Sequence, residues 1–221
     1  MQKQTIAVVL SGCGALDGSE IHEATLTLLA LDRAGASYQC LAPNITQTCV
    51  TNMFTKKTEK SSRNILEESA RIARGKIKDI AQEDPNKYAA IIFPGGFGAA
   101  LNLCNFGLNK ENYTVQPEVL KFSQAVINSN KPAGFICIAP VLAVKFYAPN
   151  KKIKITIGNN KETAAILEKN GAQHIECAVT KCVVDKTNKV VSTPAYMLAH
   201  SINEVATGIE CLVKALLTLL P

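Results

Sequence analysis

The chain has no hydrophobic segment of signal-peptide or membrane length, no Cys-x-x-Cys pair and no Gly-Lys-Ser/Thr phosphate loop. Each absence removes a class of function. Without a long apolar segment, the eight dispersed cysteines are expected to be free thiols in a reducing cytoplasm, and no membrane association is expected. Without paired cysteine spacing, and with three isolated histidines, no zinc-site register exists. The turn Ser11 to Gly14 precedes a helix, but Asp17 stands where a dinucleotide fingerprint carries its third glycine. Basic residues number 24 against 18 acidic ones, and they are scattered. The tightest cluster, Lys56, Lys57, Lys60 and Arg63, has only Phe54 as a stacking platform, which argues against nucleic-acid binding. Asn44-Ile-Thr46 and Asn112-Tyr-Thr114 match the glycosylation pattern and are read as chance occurrences in a chain not expected to be secreted.

What the sequence does contain is alternation. At 221 residues and 47% hydrophobic, it can bury one large core, and no repeat or linker divides it, so residues 1–221 are expected to form one domain. Thr5 to Leu10 reads as a buried strand, followed by a helix opened by Asp17 or Ser19 as N-cap and closed at Gly35, then a strand from Tyr38 to Ala42. Further helices are predicted over 64–73, 119–128, 139–146 and 163–169, with strands at 89–93 and 133–136. A hairpin is predicted from Val183–Asp185 and Val190–Ser192, and a last helix from about Tyr196 to Leu219. Strand, helix, strand in succession predicts a doubly wound α/β domain with a mostly parallel central sheet, whose ligands sit beyond the carboxyl ends of the strands.

Three turns lie at such ends: Ser11 to Gly18, Pro94 to Gly98, and Cys137 to Pro140. The strand Ala133 to Ile136 runs straight into Cys137 and then into a helix start, whose N–H groups favour a thiolate. Cys137 is therefore the candidate nucleophile. The N–H groups of Gly96 and Ile138 are candidates for an oxyanion hole, with Cys13, Gly95 and Pro140 as the candidate pocket residues. Glu20 and Glu23 lie three apart on the first helix, and either can supply the acid/base. His22 falls on another face and reads as a surface or structural histidine. His174 and His200 are the candidates for a Cys-His-Glu triad, which the absence of a histidine beside the nucleophile makes the minor reading.

The stretches Leu10 to Gly14, Asp17 to Glu23, Pro94 to Ala100, Gly134 to Pro140 and Thr193 to Met197, in that order, closely resemble the ElbB family, the enhancing lycopene biosynthesis or isoprenoid-biosynthesis glyoxalase proteins. That family belongs to the PfpI and class I glutamine amidotransferase-like superfamily. The resemblance implies a flavodoxin-like fold with Cys137 on a nucleophile elbow, Glu23 as the matching glutamate with Glu20 second, and Gly96 as the glycine whose N–H faces the sulfur. Ile138 replaces the histidine found after the nucleophile in the superfamily's peptidases, which points away from peptide or glutamine hydrolysis. The implied activity is a cofactor-free, glutathione-independent glyoxalase acting on glyoxal or methylglyoxal, associated with isoprenoid synthesis, in a homodimer. The competing readings are a redox-responsive or chaperone-like protein using the same cysteine, and a glutaminase-like subunit.

Overall fold

The computed structural model of the protein describes residues 4–147 and 151–220. In chain order its elements are β1 (Thr5–Val9), α1 (Ile21–Arg33), β2 (Ser37–Ala42), β3 (Val50–Thr51), β4 (Thr58–Glu59), α2 (Ile65–Ile72), β5 (Ile77–Asp79), β6 (Tyr88–Phe93), α3 (Phe97–Leu101) and α4 (Phe106–Asn109). There follow α5 (Pro117–Asn128), β7 (Ala133–Ile136), α6 (Pro140–Tyr147), β8 (Lys154–Ile155), α7 (Lys161–Lys169), β9 (Gln173–His174), β10 (Val183–Asp185), β11 (Val190–Thr193) and α8 (Ile202–Thr218). The central sheet has the order β10-β11-β7-β6-β1-β2-β5. Every adjacent pair is parallel except the β10–β11 hairpin. This is the doubly wound α/β fold the alternation predicted, of the flavodoxin-like kind the resemblance implied.

The run Ile6 to Leu10 and the run Ala90 to Phe93 are wholly buried. Continuous apolar strands of this kind are required where helices cover both faces of a parallel sheet. Helix α8 packs on α1 and on β7 and β11, and Phe93 stacks on Phe135 of the neighbouring strand with centroids 5.3 Å apart. Strand order reverses between β1 and β6: the chain builds outward from β1 through β2 to β5, then returns to β6 on the other side. Loops leaving β1, β6 and β7 therefore meet over one crevice.

Several boundaries differ from expectation for identifiable reasons. Helix α1 is capped by Glu20, not by Asp17 or Ser19. Those two side chains serve the first crevice loop: Ser19 Oγ accepts the Ser11 N–H at 2.8 Å, and Asp17 Oδ2 accepts the Thr51 N–H at 2.7 Å. The last helix begins at Ile202 behind a Ser201–Glu204 capping box, and Ala195–Met197 is a separate 3-10 turn. Edge strand β5 and the two-stranded pairs β3–β4 and β8–β9 have too little apolar pattern to be read from sequence. Cys182 and Cys211 are joined in a disulfide that ties the loop before β10 to α8, so the expectation of free thiols throughout is corrected. The pairing is set by the packing of that loop on α8, a contact 29 residues apart in sequence that spacing could not show.

Gly208, inside α8, faces that same loop. A Cβ there would overlap the Val179 carbonyl and sit 2.8 Å from Thr193 Oγ1. Helix propensity alone would make Gly208→Ala stabilising by about 1 kcal/mol, whereas overpacking against backbone costs roughly 1–3 kcal/mol. Because the obstructing atom is a carbonyl oxygen that cannot rotate away, packing prevails, and the variant is expected to unfold at lower urea concentration than the parent. A raised midpoint would show that the loop is free to yield.

Candidate functional site

Cys137 follows β7 with φ +60, a left-handed conformation that a Cβ-bearing residue adopts only under constraint. Its N–H donates to the Thr193 carbonyl at 3.0 Å, extending the β7–β11 pairing by one bond and fixing the elbow. Helix α6 then begins at Pro140, whose missing N–H costs nothing at a first turn. The N–H groups of Gly96 and Ile138 both reach the Cys137 sulfur. This brings together the two donors named from sequence. Gly96 has φ +96, and a Cβ there would overlap Glu20 N and Gly18 O, so its N–H can face the sulfur only because no side chain is present.

Glu23 is fully buried on α1. Its Oε1 accepts the Tyr196 N–H at 3.1 Å. Oε2 has no partner in normal hydrogen-bond geometry; besides the Tyr196 N–H, the groups acting on the carboxyl are the Cys137 thiol and the Gly95 N–H. A Cβ on Gly95 would overlap both the Cys137 Cβ and Glu23 Oε2, so this glycine leaves the gap through which the two groups meet. Glu20 lines the cavity beside the sulfur, but its side chain is committed to the helix cap: Oε2 accepts the Glu23 N–H at 2.7 Å, and its backbone N–H donates to the Gly95 carbonyl at 2.9 Å. The structure thus places Glu23, and not Glu20, against the sulfur.

Burial raises the Glu23 pKa from 4.5 to about 8, against the lowering effect of the Tyr196 N–H. The Cys137 thiol is also held well above its ordinary value, first by burial and then by the Glu23 carboxylate, with the two N–H groups acting in the opposite direction. The expectation that the helix start makes Cys137 a ready thiolate is therefore corrected. At 8% exposure, desolvation outweighs the dipole.

A cavity of about 360 Å³ opens above the sulfur, walled by Leu16, Phe97, Phe106, Ile138 and Met197, with Glu20, Lys110 and Tyr196 among its polar members. Cys13, Gly95 and Pro140, all expected in its wall, do not line it. Cys13 is bridged to Ser19 in the first crevice loop, near Glu68 and Arg71, and Pro140 is buried at the start of α6. His174 and His200 are also outside it, the first on β9 and the second exposed before α8. His22, set aside from sequence, is instead joined to the site: its Nδ1 lies 2.7 Å from the Tyr196 hydroxyl. Tyr196 was visible only as part of a motif, because nothing in a Thr-Pro-Ala-Tyr run shows that its backbone returns to Glu23.

No family model matches the sequence. The rat ES1 protein homolog, mitochondrial, is 43% identical over 97% of this chain and 83% of its own length. The human glutamine amidotransferase-like class 1 domain-containing protein 3, mitochondrial, is 42% identical over 97% and 82%. The chain belongs to this ES1 family of class 1 glutamine amidotransferase-like proteins. An isoprenoid biosynthesis protein with an amidotransferase-like domain from Ehrlichia chaffeensis superposes with a TM-score of 0.91, at 37% identity over 98% of this chain and 100% of that one. Glyoxalase III from Candida albicans shares the fold, with a TM-score of 0.64 at 15% identity over 99% and 98% of the two chains. The ES1 relatives are named as mitochondrial proteins, zebrafish ES1 among them, and this overturns the expectation of a cytoplasmic location. That expectation rested on a missing apolar segment, but mitochondrial targeting uses amphipathic, Arg- and Ser-rich sequence and leaves no such mark.

Glu23 gives this ES1-family site a measurable signature. The folded protein keeps the carboxyl protonated to about pH 8, whereas the unfolded chain releases the proton near 4.5. Folding therefore takes up a proton between those values, and stability falls as pH rises through the window, by up to about 1.4 kcal/mol per pH unit. Glu23→Gln keeps the acceptor for Tyr196 and cannot ionise. Urea titrations from pH 5 to 9 should show a shallower decline for the variant than for the parent. Parallel pH profiles would mean that Glu23 titrates normally.

Proposed function

We propose that this protein is a glutathione-independent glyoxalase that converts small 2-oxoaldehydes to 2-hydroxy acids through a hemithioacetal on Cys137. The observation that carries this reading is the pairing of a fully buried Glu23 carboxyl with a Cys137 thiol that also receives the Gly96 and Ile138 N–H groups. Such a pair suits addition of S–H to an aldehyde followed by transfer of a carbon-bound proton, because both steps need one base of pKa near the working pH. The Sγ–C1 bond forms as the thiol proton passes to the aldehyde oxygen. Glu23 carboxylate then takes the C1 proton and returns it to C2, and water cleaves the resulting thioester to release acid and thiol. These steps use the chain's own groups and need no added cofactor. The resemblance to the ElbB proteins supports the same reading and extends it to a single-domain homodimer linked to isoprenoid synthesis.

Two other readings are less well supported. A glutaminase needs a histidine at the nucleophile, and neither His174 nor His200 lines the cavity. An oxidation sensor needs an exposed thiolate, and burial holds the Cys137 thiol up.

The test is lactate formation from methylglyoxal without glutathione. Cys137→Ser should abolish it, since the serine hydroxyl is a poorer nucleophile and leaving group at this site. With Glu23 as the base, kcat/KM for the parent should rise about tenfold per pH unit below pH 8 and level off above it, because only the carboxylate can accept the carbon-bound proton. Activity that persists in Cys137→Ser, or a profile that falls through pH 8, would refute the assignment.

A further inference from the structure

Moving a proton from C1 to C2 of a bound 2-oxoaldehyde leaves one requirement that Glu23 does not meet. As the C1 proton departs, negative charge develops on the C2 oxygen, and a neutral donor must neutralise it for the enediol to form at reasonable cost. Glu23 Oε1 is occupied by the Tyr196 N–H, so only Oε2 is free to carry the carbon-bound proton. Gly96 and Ile138 direct their N–H groups to the sulfur. Among the polar residues of the cavity, Glu20 accepts the Glu23 N–H, Lys110 is paired with Glu162, and Asn160 caps α7 through the N–H of Thr163, whose side chain lines the cavity from that helix.

Tyr196 is built differently. It lines the cavity with Cys137, and its backbone N–H is bonded to Glu23, so ring and carboxyl are held by one residue. The turn that carries it is fixed by the buried Ala195, whose φ of +44 is a second strained non-glycine conformation next to the site. Strain of this kind persists only where surrounding contacts impose it. The Tyr196 hydroxyl meets His22 Nδ1 at 2.7 Å, across 174 residues of sequence, and His22 is itself exposed to solvent. Partial burial and the carboxyls of Glu20 and Glu23 raise the Tyr196 pKa, which keeps the phenol in its donor form at neutral pH.

We propose that Tyr196 is a second catalytic residue that donates its phenol proton to the ketone oxygen of the Cys137-bound substrate, with His22 as the positioning residue that holds the hydroxyl. The assignment rests on the glyoxalase reading of the site. It uses His22 with a proton on Nδ1, donating to the phenol oxygen and leaving the phenol proton for the cavity. In the first half-step Glu23 takes the C1 proton, the C1–H electron pair becomes the C1=C2 bond, and the C2 oxygen takes the Tyr196 proton. The products are an enediol and a tyrosinate stabilised by the His22 N–H. In the second half-step Glu23 returns its proton to C2, and the C1 hydroxyl gives its proton to the tyrosinate. This leaves a C1 thioester, a C2 hydroxyl and both residues as they began, with C1 oxidised, C2 reduced and no external electron carrier.

The test uses the full chain with methylglyoxal. Tyr196→Phe keeps the ring and the backbone N–H to Glu23 and deletes only the hydroxyl. Its kcat should fall by about 100-fold or more, the usual contribution of a positioned proton donor. KM should stay within about threefold, and iodoacetamide should alkylate Cys137 at the parental rate. On the exposed side of the pair, His22→Ala should lower kcat about tenfold, and His22→Asn, whose amide can donate from the Nδ1 position, should recover most of that loss. Cys137→Ser and the parent are run alongside. Turnover by the parent, none by Cys137→Ser and undiminished kcat in Tyr196→Phe would overturn the role of Tyr196 alone. No turnover by the parent would overturn the glyoxalase reading and this assignment with it. Equal losses in His22→Ala and His22→Asn would remove His22 from the pair.

Discussion

A carboxyl group with no solvent contact must either be neutral or find enough donors to replace water, and Glu23 has one conventional donor for two oxygens. It therefore stays protonated over a range in which an exposed glutamate is ionised, and much of the surrounding structure follows from accommodating it. Gly95 must lack a side chain so that the carboxyl can reach the sulfur. Glu20 must cap α1, because its side chain takes the Glu23 N–H while its own N–H is tied to the Gly95 carbonyl. Tyr196 turns its N–H inward to Glu23, directly after the left-handed backbone at Ala195.

The same burial inverts a common argument about elbow cysteines. A helix start lowers a thiol pKa only as far as its dipole exceeds the cost of removing the charge from water. Here Cys137 is 8% exposed and its thiol faces a carboxyl group, and the balance lies on the side of the neutral thiol. The pair is better described as sharing protons than as a thiolate with a helper: two adjacent negative charges are disfavoured. A site of this kind rests in an uncharged form, and the Gly96 and Ile138 N–H groups face the sulfur, where charge develops as the thiol gives up its proton.

Much of this was legible in the sequence where the signal was local. The strand ending at Cys137, the Gly95-Gly96 turn and the first-helix carboxylates are short-range patterns, and the parallel sheet brings them together by a general rule of doubly wound folds. Glu23 could be preferred to Glu20 only through family resemblance, since two residues three apart on a helix share a face. The structure separates them by a cap: the side chain at the helix start turns back to the backbone, and the one a turn later points inward. Cys13 was misplaced for a related reason. It is in a crevice loop, but that loop is held by Ser11, Asp17 and Ser19 with its thiol beside Glu68 and Arg71.

What could not be read was long-range. The Cys182–Cys211 disulfide, the return of Tyr196 to Glu23 and the meeting of Tyr196 with His22 join segments whose separation no spacing rule spans. These contacts share a cause, because α8 lies against α1 and carries with it the loops on either side of β11. Gly208 permits the close approach of the 178–182 loop, Thr193 Oγ1 donates to the Lys181 carbonyl, and the Thr193 carbonyl receives the Cys137 N–H. The packing of the last helix is thus continuous with the bond that holds the elbow. A change that loosens this loop would act at Cys137 without touching it, through the backbone of Thr193.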